Sequence, residues 1–436
     1  MGRDESRPSG SELTRVLRER LGSEWLEDAG PEYAVGPARP ETLAKPRSLE
    51  EVRELVAVCR SLGLALVPWG SGTHQHVGNA PSRLDVVLST RDLSGIVDHD
   101  PADLTVTVRA GTTLAELASM LRPSGQWLPL DPPAPDRVTV GGMIAADLNG
   151  GLRFSHGRVR DWVLGLTFVD GVGRVVRGGG RVVKNVAGYD IPKLLVGSYG
   201  SLGPVVEATF QVRPLPACDR TFGVSAPSLE DAFRYATDIF DGPCSPLALD
   251  VLDAGAAAGL GLGKDPFVVV RLGGETREVE MQRDGMASFL RGLAPLEPAQ
   301  CAALRDFTLR GPGSWGARFA VSPRELVHVA LRAEEEASRF GLPLYLRVHF
   351  GTGVGFVRLS AESSKEVEAA LGYLRWLRFL CRRFGGFCVY EQLPADCKAL
   401  VDPWGPLDAT LELMRGVKAA LDPRRIFNPG RYCGGL

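Results

Sequence analysis

Residues 67–79 read VPWGSGTHQHVGN and gather several kinds of chemistry into one short stretch. His74 and His76 stand two apart and are two of only six histidines in the chain. On a strand both would face one way, as a metal pair requires, yet no acid or third histidine lies near in sequence. No metal is therefore expected, and a structural or ligand-adjacent role fits the pair better. Gly70, Ser71, Gly72 and Thr73 offer a second chemistry. Successive backbone N–H groups in a glycine-rich turn point into one concavity and hold an anion. A second run of the same texture, TVGGMIAADLNGG, begins at Thr139. Two such turns could hold the two ends of a large anionic ligand, or they could be tight turns and no more; composition leaves both open. The standard nucleotide motifs are absent. GLGLGKD (259–265) has neither the first glycine nor the Ser/Thr of a phosphate loop. GSGTHQ lacks the third glycine of a dinucleotide turn.

The elements that must position these turns are legible. Ser48 and Glu51 form a capping box before the apolar face Leu49, Val52, Leu55, Val56, Cys59 and Leu62, and Gly63 ends that helix. LALVP (64–68) and LDVVLST (84–90) read as strands, and LTVTVRAG (104–111) alternates as a strand should. Thr113 and Glu116 open a second capped helix. DGVGRVV signals a hairpin, Asp190 caps a short helix at Ile191–Pro192, and VVEATFQVRP (205–214) closes the region as a strand. After PLPACD (214–219) longer amphipathic helices are expected at 228–240, 275–292, 323–340 and 362–384. Strands are expected near 246–252, 266–272, 343–350 and 353–360, with antiparallel character. The fold class is α+β.

The totals exclude several classes. A chain of 436 residues holds two or three compact units. With a formal net charge of −2, no basic field argues for nucleic acid or an anionic membrane. No run approaches the ~18 apolar residues of a spanning helix. The polar start MGRDESRPSGSELTRV lacks the apolar segment of a secretory signal, so a cytoplasmic location is expected. Eight cysteines are scattered with no CxxC pair, which predicts reduced thiols and neither a zinc ribbon nor an iron–sulfur loop within this chain.

From 35 to 214 the sequence resembles the FAD-binding domain of the vanillyl-alcohol oxidase (PCMH) type. VPWGSGTHQHVGN resembles its first diphosphate loop, TVGGMIAADLNGG its second flavin loop. The run GRVRDWVLGLTFVDGVGRVVRGGGRVVKNVAGYD with GSYGSLGPVVEATFQVRP, and the tail motif FNPGR, are similar to the FAD-binding subunits of glycolate oxidase. The resemblance implies a lead-in at 1–34, a two-lobed FAD-binding domain at 35–215 and an α+β cap domain with an antiparallel sheet at 216–436, whose tail 422–436 returns to the flavin. It implies cofactor contacts from Gly70, Ser71, Gly72, Thr73, His74, Gly78 and Asn79 in the first loop. Thr139, Gly141, Gly142 and Ala145 would line the second, joined by Gly157, by Lys184, Asn185 and Gly188, by Val205 and by Asn428. His74 takes the position of a covalent flavin link in some relatives, but Thr73 replaces a glycine of their SGGH pattern, so FAD is expected to be non-covalent. Related hydroxyacid dehydrogenases carry a metal motif of the HxHxGDGNxH kind. In RVHFGTGVGF (347–356) His349 is alone, and no metal is expected.

The function implied is that of an FAD-binding subunit supporting oxidation of glycolate or a similar 2-hydroxyacid. A sister flavoprotein and an iron–sulfur subunit are the implied partners, and any membrane association would run through them. A self-sufficient FAD-dependent dehydrogenase is the alternative. A scaffold that has lost FAD is a third, which the unbroken glycines disfavour. Arg347 and His349 alternate on an expected strand and would face one side. Arg suits bidentate binding of a carboxylate and His the removal of a hydroxyl proton. The bland reading is a solvent-facing Arg347 and a satisfied core His349.

Overall fold

The computed structural model describes residues 10–22, 24–180, 190–407 and 409–436. Its first sheet has four strands in the order Leu26–Asp28, Thr42–Ala44, Val86–Ser89, Leu66–Trp69. The last three run parallel. A parallel pair needs a crossover, and the helix Leu49–Leu62 supplies it. Ser48 Oγ accepts from Glu51 N at its start, and Gly63 ends it with φ 67°. Leu66–Trp69 thus delivers residues 70–79 to the carboxyl edge of a parallel sheet, the usual place for a ligand in such sheets.

A second, antiparallel sheet has the order Ile96–Asp100, Thr105–Arg109, Val205–Gln211, Val163–Val169, Val175–Gly179. Val163–Val169 and Val175–Gly179 are the hairpin signalled by DGVGRVV. Between strands of this sheet, Thr113 and Glu116 cap the helix Leu114–Leu121, and Thr139 caps the short helix Val140–Ala146.

Gln126–Trp127 and Arg213–Pro214 make a small two-stranded ladder, and a further sheet has eight strands, all paired antiparallel. Its order is Ala294–Pro295, Cys218–Ser225, Phe267–Gly274, Ala248–Leu252, Leu344–His349, Val354–Leu359, Trp315–Ala320, Phe387–Gln392. The expected helices appear as Leu229–Asp241, Thr276–Ala287, Pro323–Arg339 and Ser364–Arg383. They bury one face of the sheet through Leu249, Val251, Leu346, Val348, Trp315, Phe319, Val357 and Leu359. Because side chains alternate along a strand, the residues between these point to the other face. That face therefore carries Asp250, Arg318, Arg347, His349 and Arg358. It lies against the first half of the chain: Arg271 pairs with Asp131 over 3.2 Å, Ser155 Oγ donates to the Leu247 carbonyl over 2.8 Å, and Ala134 N donates to Asp306 over 2.9 Å. Among the described residues no helix is long and apolar enough to cross a membrane.

Candidate active site

The two glycine-rich turns meet. A Cβ built on Gly70 would stand 2.3 Å from Thr139 Oγ1, so only glycine allows the first turn to lie on the second. Gly72 has φ 73°, and a Cβ there would stand 2.8 Å from the Trp69 ring. Together the turns wall an open cleft. It is lined by residues 68–75, by Thr139, Gly141, Gly142 and Ala145, by 198–200, by 203–205 and by Arg431.

The turns contribute differently. The amides of Gly70, Ser71, Gly72, Thr73 and His74 donate to no group among the described residues. Those of the second turn are spent: Gly141 N donates to the Ala110 carbonyl over 2.8 Å, and Gly142 N to Thr139 Oγ1 over 3.1 Å. The first turn offers a row of donors, and the second a close, side-chain-poor wall. Free amides, expected of both runs, are present at 70–74 but not at Gly141 and Gly142, which the Ala110 carbonyl and the Thr139 cap consume.

Most of the loop residues singled out in the sequence converge here. His74 lines the cleft, and its Nδ1 sits 3.1 Å from Thr73 Oγ1. It is in a turn, not on a strand, and stacks on His76 with ring centres 5.9 Å apart. Burial, His76 and Arg318 push its pKa down to about 3, and burial with Lys398 and Arg431 brings His76 to about 4, so both rings are neutral at pH 7. The Gly78 carbonyl accepts from Lys398 Nζ over 3.1 Å, and Asn79 N donates to the Arg431 carbonyl over 3.1 Å. Ala145 and Val205 line the cleft. Asn428 is buried and adopts φ 44°; its Nδ2 donates to the Tyr199 carbonyl over 2.8 Å. Gly157, φ 81°, ends the short helix Arg153–His156 and does not line the cleft. Lys184, Asn185 and Gly188 lie outside the described residues.

Arg347 and His349 share one face of the eight-stranded sheet, as their spacing predicts, and both are buried. Asp250, on the neighbouring strand, binds both: Arg347 Nη2 donates over 2.9 Å, and His349 Nδ1 contacts the other carboxylate oxygen. Burial raises the Asp250 pKa, but Arg347 and His349 outweigh it and bring the carboxyl down to about 2. Arg347 lines a second, open pocket with Asp131, Asp250 and Arg271, and it does not line the glycine cleft.

Several site residues were not found from sequence. Tyr199 adopts φ 51°, lines the cleft and packs edge-on against Trp404. Arg318 pairs with Glu391 over 2.6 Å, and its field acts on both His74 and Tyr199. Arg431 is buried three positions beyond Asn428 in FNPGR. That motif was the available signal for Arg431; nothing local marks Arg318. Among the described residues no group of three or more His, Cys, Asp and Glu is gathered that could hold a metal.

A cleft with free amides on one side, a wall poor in side chains on the other and a buried arginine among its lining fits a dinucleotide diphosphate. The comparisons agree. Residues 40–179 match the FAD binding domain, and residues 404–432 match the FAD linked oxidases, C-terminal domain. Glycolate oxidase subunit GlcE of Escherichia coli is 46% identical over 346 residues, covering 79% of this chain and 86% of that one. Glycolate oxidase subunit GlcD of Bacillus subtilis is 26% identical over 429 residues, covering 93% and 90%. Of solved structures, p-cresol methylhydroxylase with substrate bound superposes with a TM-score of 0.75 at 16% identity, covering 97% and 96%, which shows the shared fold. FAD is the cofactor, and the chain belongs to the FAD-linked oxidase family that contains the glycolate oxidase subunit GlcE.

Proposed function

We propose that the chain is the FAD-binding subunit of a 2-hydroxyacid dehydrogenase assembly of the glycolate oxidase kind. It works beside a sister flavoprotein and passes electrons to an iron–sulfur partner. Bound non-covalently in the cleft, FAD supplies the acceptor that oxidation of a CH–OH group requires. The chain's own residues bind and position it: amides of 70–74 hold the diphosphate, Thr139–Gly142 form the opposite wall, and Tyr199 and Val205 line the side to which the buried Asn428 ties the returning tail. In this reading residues 35–215 form the FAD-binding unit and 216–436 the cap.

One observation carries the subunit reading. The cofactor cradle is complete, yet Arg347 and His349, the pair suited to a hydroxyacid, are already held by Asp250. Breaking that buried pairing to accept a substrate would cost several kcal/mol, about 3–5 by analogy with other buried ion pairs. A second reading, a self-sufficient 2-hydroxyacid dehydrogenase, is favoured by Arg318, a cation on the same sheet face whose field reaches His74 and Tyr199.

Anaerobic addition of glycolate or D-lactate to the purified yellow protein separates the two. The subunit reading expects flavin absorbance to persist in the lone chain and to bleach once the sister subunit is added. Bleaching of the lone chain at a catalytic rate establishes the self-sufficient enzyme. A colourless protein that takes up no FAD defeats both.

A further inference from the structure

Several buried or half-buried cations in this molecule are matched by carboxylates. Arg347 faces Asp250, Lys418 faces Asp422 over 2.8 Å, Arg318 faces Glu391, and Arg271 faces Asp219 over 2.6 Å. Arg358, also buried, donates among the described residues only to carbonyls and to Gln392, but it does not line the glycine cleft. Arg431 shares that neutral kind of acceptor set and differs in its place. It is 3% exposed and lines the glycine cleft, and among the described residues every group it donates to is neutral. Its Nη1 donates to the side-chain oxygens of Gln75 and Asn428, the latter over 3.3 Å. Nη2 donates to the Gln75 carbonyl over 2.9 Å and to the carbonyls of His74 and Val77 over 3.4 Å. Its buried Nε has no hydrogen-bond partner. A charge desolvated without a counterion is costly. The cost appears in the guanidinium itself, whose pKa burial lowers to about 10. Beside it, Lys398 Nζ binds the carbonyls of His76 and Gly78, again with no carboxylate partner among the described residues.

We propose that Arg431 is the fixed cation that neutralises the FAD diphosphate. It is supplied by the C-terminal tail to a loop that otherwise offers only neutral amides. The tail motif then does two jobs. Asn428 ties the tail to Tyr199, and Arg431 brings positive charge to the cleft while its fork holds the carbonyls of His74, Gln75 and Val77 away from it, leaving the amides of that loop turned to the ligand. The inference rests on the reading that FAD lies in the glycine cleft.

The test is fluorescence titration of the apoprotein with FAD and with riboflavin, which has the ring system but no phosphate. It compares the wild type with Arg431→Met and Arg431→Lys, using apoprotein melting as the folding control. Loss of one charge-assisted contact predicts roughly tenfold to hundredfold weaker FAD binding in Arg431→Met. Riboflavin affinity should be unchanged, and Arg431→Lys should recover much of the FAD affinity. Equal losses for FAD and riboflavin would show that the arginine only shapes the loop, and would overturn the proposal. Should Arg431→Met fail to fold, the wild type decides: its FAD affinity must fall with added salt, and inorganic pyrophosphate must compete with FAD. Salt-independent binding or no competition overturns the proposal while leaving FAD in the cleft. A wild type that binds FAD no better than riboflavin overturns the cleft reading too.

Discussion

Gly70 lies so close to Thr139 that a methyl group on its Cα would stand 2.3 Å from the threonine Oγ1. That hydroxyl is committed to Gly142 N, so it cannot turn away without uncapping the helix behind it. Gly70→Ala is therefore expected to force the turns apart. Overpacking of this kind costs about 1–3 kcal/mol, and FAD affinity should fall at least tenfold. Titration of the apoprotein with FAD, alongside urea unfolding, checks both. A variant that keeps wild-type affinity would mean that the contact between the turns does not shape the site.

Asp250 holds Arg347 and His349 in a buried triad. Asp250→Asn leaves Arg347 buried without a counterion and should cost about 3–5 kcal/mol at pH 7. The folded carboxyl, at about 2, lies below its ordinary value of 3.8. Its stabilisation is thus present above pH 4 and is lost as pH falls towards 2. Urea unfolding should show the gap between wild type and variant closing over that interval; a gap independent of pH would contradict the account.

Asp253 titrates in the opposite sense. Its Oδ1 accepts from Ala256 N over 2.7 Å and from Leu346 N over 2.9 Å, capping the helix Ala254–Gly259, and burial raises its pKa to about 7. Folding takes up a proton here, so its contribution to stability falls as pH rises from 4 to 7. Asn keeps the acceptor oxygen without the charge. Asp253→Asn should match the wild type near pH 4 and exceed it at pH 8 by on the order of 2–4 kcal/mol. Thermal unfolding at the two pH values decides, and a variant weaker at pH 8 would refute the assignment.

Lys418 is buried and donates to the Ser201 carbonyl over 2.6 Å, to the Phe427 carbonyl over 2.8 Å and to Asp422 over 2.8 Å. It joins the 198–205 wall of the cleft to the returning tail. Lys418→Met should cost about 3–5 kcal/mol, because Asp422 is left buried and unpaired. The variant should also shed FAD during gel filtration more readily than the wild type. Full retention of FAD would show that the tail is held by other contacts.

What the sequence disclosed was local. Glycine density marked both turns, and capping boxes at Ser48 and Thr113 placed the helices that flank them. Strand alternation put Arg347 and His349 on one face. The strands Cys218–Ser225, Trp315–Ala320 and Phe387–Gln392 went unassigned, although the sheet needs all three. The partner of Arg347 lies 97 positions upstream on the adjacent strand, a neighbour set by sheet order and not by chain order. Nor can composition show that Gly141 and Gly142 spend their amides on Ala110 and Thr139, which depends on how the turn packs. Asn428 and Arg431 both lie in FNPGR, but only the fold shows Arg431 buried among neutral partners at the cleft.

The most direct test of the central claim is a structure of the protein reconstituted with FAD. The account predicts diphosphate oxygens within hydrogen-bonding distance of the amides of residues 70–74, with Thr139–Gly142 packed against the opposite side and donating nothing from Gly141 or Gly142. A diphosphate found outside this cleft, or held there without those five amides, would contradict it.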